Sequence, residues 1–84
     1  MSRWIAVGYG ALLDAERVVA AVRARSAPVK RMLDAAGPAQ VVNLTYGYPR
    51  ECVVLLDTGH LALISLTLDD LLRRLNTEED HDEF

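Results

Sequence analysis

The chain has 84 residues, 51% of them hydrophobic, with nine Lys and Arg, twelve Asp and Glu, two His and one Cys, for a formal charge of −3. That length allows one domain, which buries only about 60–65% of the surface its unfolded chain exposes, so part of the apolar content is expected at a subunit interface. A lone cysteine excludes an internal disulfide and fits a reducing cytoplasm, no apolar run nears the ~20 residues of a membrane span, and the N-terminus carries no signal-peptide pattern.

In chain order, Trp4 to Val7 is a short apolar run that reads as a strand, ending in a turn or bulge at Gly8-Tyr9-Gly10. Ala15 to Val22 is ambiguous, because its alanines favour helix and its valines favour strand; we read it as a strand. A short helix opens near Ser26, a candidate N-cap, with Pro28 in the first turn, where a missing N–H costs little. Val29, Met32, Leu33 and Ala36 lie at i, i+3, i+4 and i+7 on one face of it. Gly37-Pro38 is expected to end it by a left-handed residue followed by a breaker.

Val41 to Tyr46 is β-branched and partly alternating, hence a strand, and Gly47-Tyr48-Pro49-Arg50 is a loop. Cys52–Leu56 and His60–Leu66, separated by Asp57-Thr58-Gly59, carry the signature of a β-hairpin. Thr67-Leu68-Asp69-Asp70 resembles a capping box with Asp in the place of Glu. The helix after it has Leu68, Leu71, Leu72 and Leu75 on one stripe, and Arg73 and Arg74 near its C-terminus, where the dipole favours cations. The expected architecture is α+β: one domain over residues 1–76, a small, mostly antiparallel sheet of about five strands in the order β-β-α-β-β-β-α, and two short helices. Residues 77–84 are expected to form an acidic, disordered tail.

The net charge hides an asymmetry. Residues 77–84 hold five of the twelve acids and no Lys or Arg, which leaves nine cations against seven anions in the rest of the chain. Residues 1–31 carry six cations against Asp14 and Glu16. Such a distribution permits a nucleic-acid face without requiring one, since arginines also simply solvate surfaces.

Catalysis finds little support. Gly8-Tyr9-Gly10 begins a dinucleotide fingerprint, but Leu13 stands where its third glycine belongs. His60 and His81 lack a second His or Cys at a ligand spacing, so neither a metal nor a cofactor is expected. The serines lack a nucleophile elbow, and Cys52 opens a strand that reads as buried. The cations remain. Arg17 interrupts an apolar stretch, Arg50 follows Tyr48 and Pro49 on a loop, and Lys30 and Arg31 sit in the first helix, close in sequence to Arg23 and Arg25. Cations gathered beside a helix start suit a phosphate, and an aromatic beside a cation suits a sugar-phosphate backbone.

These pieces in this order, namely Val7-Gly8-Tyr9-Gly10, Ala15 to Val22 with Arg17, Ser26-Ala27-Pro28-Val29-Lys30-Arg31, Thr45-Tyr46-Gly47, Val53-Val54 with Asp57 and His60, and Ile64-Ser65, resemble the RemA family of small bacterial regulators over about residues 4–75. The resemblance implies a non-enzymatic protein that binds double-stranded DNA, assembles into closed homo-oligomeric rings and presents arginines to the DNA backbone. Arg17 falls on one of the family's DNA-contacting arginines. The family's arginine pair after the Thr-x-Gly turn falls on Tyr48 and Pro49, with Arg50 the next residue. The expected DNA contacts are therefore Arg17 and Arg50, with Lys30 and Arg31 secondary. The alternative is a scaffold protein that keeps the ring and has lost the DNA face. In a third reading, the acidic tail competes with DNA.

Overall fold

A computed structural model describes residues 3–76, so the expected tail at 77–84, with His81, lies outside the described residues. The chain order is β1 (Trp4–Gly8), β2 (Ala11–Asp14), β3 (Val18–Arg23), α1 (Ala27–Ala35), β4 (Val41–Asn43), β5 (Cys52–Leu56), β6 (Leu61–Ile64) and α2 (Leu68–Asn76). The fold is α+β, as expected, with six strands instead of five.

The four longer-range strands form one sheet in the order β3-β5-β6-β4. β3–β5 and β5–β6 are antiparallel, whereas β4 runs parallel to β6. The continuous apolar runs at 52–56 and 61–64 follow from this placement. Central strands buried on both faces need apolar residues at every position, and successive side chains serve opposite faces. On one face Cys52, Val54, Ala62 and Ile64 pack with Ile5, Val7, Ala11, Leu13 and Leu71; on the other, Val53, Leu61 and Leu63 pack with Val29. The sheet is thus covered by the β1–β2 hairpin and α2 on one side and by α1 on the other.

The missed strand is β2. The two-residue loop Tyr9-Gly10 joins Gly8 to its partner Ala11, and both loop residues have positive φ (56° and 84°), as a tight hairpin with the twist of a type I′ turn requires. Gly8-Tyr9-Gly10 does turn the chain, but a four-residue strand with adjacent leucines gives no alternation to detect.

Other boundaries differ for local reasons. Ala15–Arg17 is a single 3₁₀ turn capped by the Asp14 carboxylate, so the strand expected from Ala15 begins at Val18. The strand expected through Tyr46 ends at Asn43, where the Asn43 side-chain carbonyl accepts from both the backbone N–H and the hydroxyl of Thr45, and Tyr46 and Gly47 turn with positive φ. The strand expected from His60 to Leu66 is Leu61–Ile64, and His60 Nδ1 lies 2.7 Å from the Thr58 hydroxyl. Gly37 is extended, not left-handed; α1 closes one residue earlier, where Ala36 N–H donates to Met32 C=O. Ser26 precedes α1 without capping it, because its hydroxyl donates instead to Arg23 C=O at 2.8 Å. Thr67 does cap α2, accepting from Asp70 N–H at 3.1 Å, while the Asp70 carboxylate turns to Arg73 rather than closing the box.

Candidate nucleic-acid interface

The antiparallel register of β3 on β5 decides where the cations go. Arg23 pairs with Cys52, and the ladder continues one step further as Ala24 N–H donates to Glu51 C=O at 3.0 Å. This step sets the β3–α1 connection beside the segment that enters β5, bringing Arg25 next to Arg50 across 25 residues of sequence. Ser26 N–H and its hydroxyl both donate to Arg23 C=O, which tightens the turn, and α1 starts at once with Pro28 in its first turn.

The result is a cleft of about 590 Å³ at the start of α1, lined by Arg25, Lys30 and Arg50 together with Ser26, Val29, Leu33 and Asp34. A smaller recess of about 200 Å³ shares Arg25 and Arg50 and adds Arg23, Glu51 and the start of α2 at Thr67 and Leu68. Val29 is 1% exposed and fixes α1 to the sheet, so Lys30, the next residue, is held to the cleft by a packed neighbour. Across the two adjoining depressions, four cations thus face two carboxylates. The first-turn N–H groups of α1 add partial positive charge there.

Of the four residues expected to contact DNA, two meet: Lys30 and Arg50. Arg25 belongs with them, and what would have revealed it is the strand register, which a single sequence does not print. Arg31 is exposed but lines neither depression, because its side chain leaves α1 about 100° around the axis from Lys30. Arg17 is at the opposite end of β3, about 20 Å from Arg23 at the usual rise per strand residue. Its guanidinium lies 3.4 Å from the Asp57 carboxylate and 3.8 Å from that of Asp14, and Asp57 N–H donates to Arg17 C=O at 2.8 Å. Tyr48, expected to help Arg50 grip a backbone, instead stacks on Tyr9 with ring centroids 4.0 Å apart and planes at 6°.

The surface also carries apolar groups. Trp4 and Leu12 on the β1–β2 hairpin are each 61% exposed, and Val19 on β3 is 62% exposed. β3 is an edge of its sheet, paired on one side only.

Comparison with known proteins decides the kinship. Residues 4–75 match the family model described as RemA-like, extracellular matrix regulatory protein A-like. The chain belongs to the RemA-like family. Among its relatives is a protein of Carboxydothermus hydrogenoformans, 30% identical over 82 residues that cover 96% of this chain and 94% of the relative. Proteins of Bacillus cytotoxicus and Bacillus mycoides are 34% identical over the same shares. The relatives' names include the words "Putative regulatory protein". The RemA-like chain is therefore one of a group of regulators, and its family region takes in every element from β1 to most of α2. Among the described residues, no helix is long and apolar enough to cross a membrane.

Proposed function

We propose that this RemA-like chain, folded as one domain over residues 1–76, is a non-enzymatic DNA-binding regulator that works in the cytoplasm, on the nucleoid, as a homo-oligomeric ring. The observation that carries the reading is the convergence of Lys30 and Arg50, with Arg25, on one cleft at the start of α1. Guanidinium and ammonium groups held together by a strand register and a helix start carry the charge that a sugar-phosphate backbone calls for, and phosphate contacts supply a large share of protein–DNA affinity.

Assembly is supported by the exposed Trp4, Leu12 and Val19 and by the open edge of β3, features that a lone small domain gains by covering. Repetition around a ring multiplies a modest patch, so that a few phosphate contacts per protomer sum to useful avidity. Arg17 joins the DNA contacts by exchanging its carboxylate partners for phosphate, and Arg31 contributes from the flank of α1.

Gel shifts of a duplex at low and moderate salt test the reading. Binding is expected at low salt and is expected to weaken in the Arg17→Ala/Arg50→Ala double variant. The absence of any shift at low salt, with the ring intact by light scattering, would overturn it. That outcome belongs to the second reading, a ring-forming scaffold without a DNA face, which the stacking of Tyr48 on Tyr9 and the pairing of Arg17 with Asp57 favour.

A further inference from the structure

We propose that the cationic cleft at the start of α1 is the docking site of the chain's own acidic segment, residues 77–84, which occupies Arg25, Lys30 and Arg50 when nucleic acid does not. Charge and reach argue for this occupant. The segment Thr77-Glu78-Glu79-Asp80-His81-Asp82-Glu83-Phe84 carries five carboxylates and no Lys or Arg. The cleft and its adjoining recess present Arg23, Arg25, Lys30 and Arg50 against Asp34 and Glu51, a surplus of two positive charges.

The geometry of α2 brings the two together. α2 runs from Leu68 to Asn76, about 13.5 Å at the helical rise of ~1.5 Å per residue. Its first residue, Leu68, lines the recess with Arg25 and Arg50, and its last residue is where the acidic segment begins. Eight extended residues span about 26–29 Å, twice the length of α2, so the segment can turn back along the helix and set its distal acids over the cleft. The cations at the end of α2 have partners of their own: Arg73 pairs with Asp70 at 3.2 Å, Arg74 donates to Ala6 C=O at 3.0 Å, and Arg3 donates to Leu75 C=O. Exposed pairs of this kind are individually weak, so the docked state is held by several of them at once, weakens with salt and yields to a polyanion of higher charge density.

The contact does not depend on the DNA reading, but its consequence, competition with DNA, does. The test uses full-length chains in which the segment is neutralised without being removed, by Glu78→Gln, Glu79→Gln, Asp80→Asn, Asp82→Asn and Glu83→Gln together. At low salt, backbone amide resonances of Arg25, Ser26, Lys30 and Arg50 are expected to differ between wild type and variant, and the difference is expected to close by 0.5 M salt. Superimposable spectra at low salt would overturn the contact, whatever DNA does. A second sample co-assembles isotope-labelled neutralised chains with unlabelled wild-type chains. Shifts at the labelled cleft would show that the segment comes from a neighbouring copy and would overturn the assignment to its own chain. In the same low-salt buffer, the neutralised variant is expected to bind duplex DNA at least fivefold more tightly than wild type. Altered cleft resonances without that gain would leave the contact standing and overturn the competition.

Discussion

Val29→Ala asks whether α1 is held to the sheet, and the cleft thereby held in shape, by a single buried side chain. Val29 is 1% exposed and is the one fully buried residue of α1, seated on Val53, Leu61 and Leu63; Met32, Leu33 and Ala36 cover the same patch only partly. Losing two buried methyl groups costs about 1.6 kcal/mol at ~0.8 kcal/mol each. The space left behind adds up to about 1 kcal/mol if the helix does not settle into it. Alanine recovers about 0.5 kcal/mol as the better helix former. The net loss is about 2 kcal/mol, which for a domain of this size lowers Tm by about 8–16 °C. Thermal unfolding followed by circular dichroism, with protomer concentration held fixed, measures it. Leu72→Ala on α2 is the control, since Leu72 is 56% exposed and its loss is expected to stay within about 0.5 kcal/mol. A Val29→Ala shift no larger than the control's would refute the idea that Val29 anchors the helix.

Three further outcomes follow from local geometry. Thr67→Ala removes the side-chain acceptor for Asp70 N–H and is expected to cost about 1 kcal/mol in a urea titration, whereas Ser26→Ala, which removes no cap, is expected to cost less than half of that. Burial, with the Glu51 carboxylate beside it, raises the Cys52 thiol from 9.0 to about 11, so iodoacetamide is expected to label the folded protein slowly at pH 8 and the urea-unfolded protein quickly. Between pH 9 and 11 the unfolded chain releases a thiol proton that the folded chain keeps, so stability falls as pH rises through that window, and Cys52→Ala is expected to lose this part of the slope. Asp57→Asn removes the nearer of Arg17's two carboxylate partners, leaving Asp14 at 3.8 Å, and is expected to tighten DNA binding and steepen its salt dependence by up to ~0.9 in log–log slope per contact, as measured by fluorescence anisotropy; DNA affinity and slope unchanged in both Asp57→Asn and Arg17→Ala would place Arg17 off the DNA.

The parts of this fold that could be read from the residues are those in which a residue's neighbours in sequence are also its neighbours in space. Cys52–Leu56 and Leu61–Ile64 announce a hairpin because both faces are buried, and the turn Asp57-Thr58-Gly59 lies between them. The leucine stripe and Thr67 announce α2 for the same reason. What stayed hidden depends on distant partners. β2 is too short to show a period, and it becomes a strand by pairing with β1 across Tyr9-Gly10. The Ser26 hydroxyl had two acceptor or donor roles open to it, and the Arg23 carbonyl took it. The site divides along the same line. Lys30 carries its own signal beside a helix start, but its meeting with Arg50 follows from the β3–β5 register, and the engagement of Arg17 by Asp57 spans 40 residues.

The central claim is that Lys30 and Arg50 touch phosphate, and the salt dependence of DNA affinity measures that contact directly. Anisotropy titrations of a labelled duplex between 50 and 200 mM salt, with wild type and the Lys30→Gln/Arg50→Gln variant, give two log–log slopes. Loss of two phosphate contacts is expected to flatten the slope by ~1.8, so that wild-type affinity falls about twelvefold further than the variant's over that range. Two parallel lines, with an intact ring in both samples, would contradict the account.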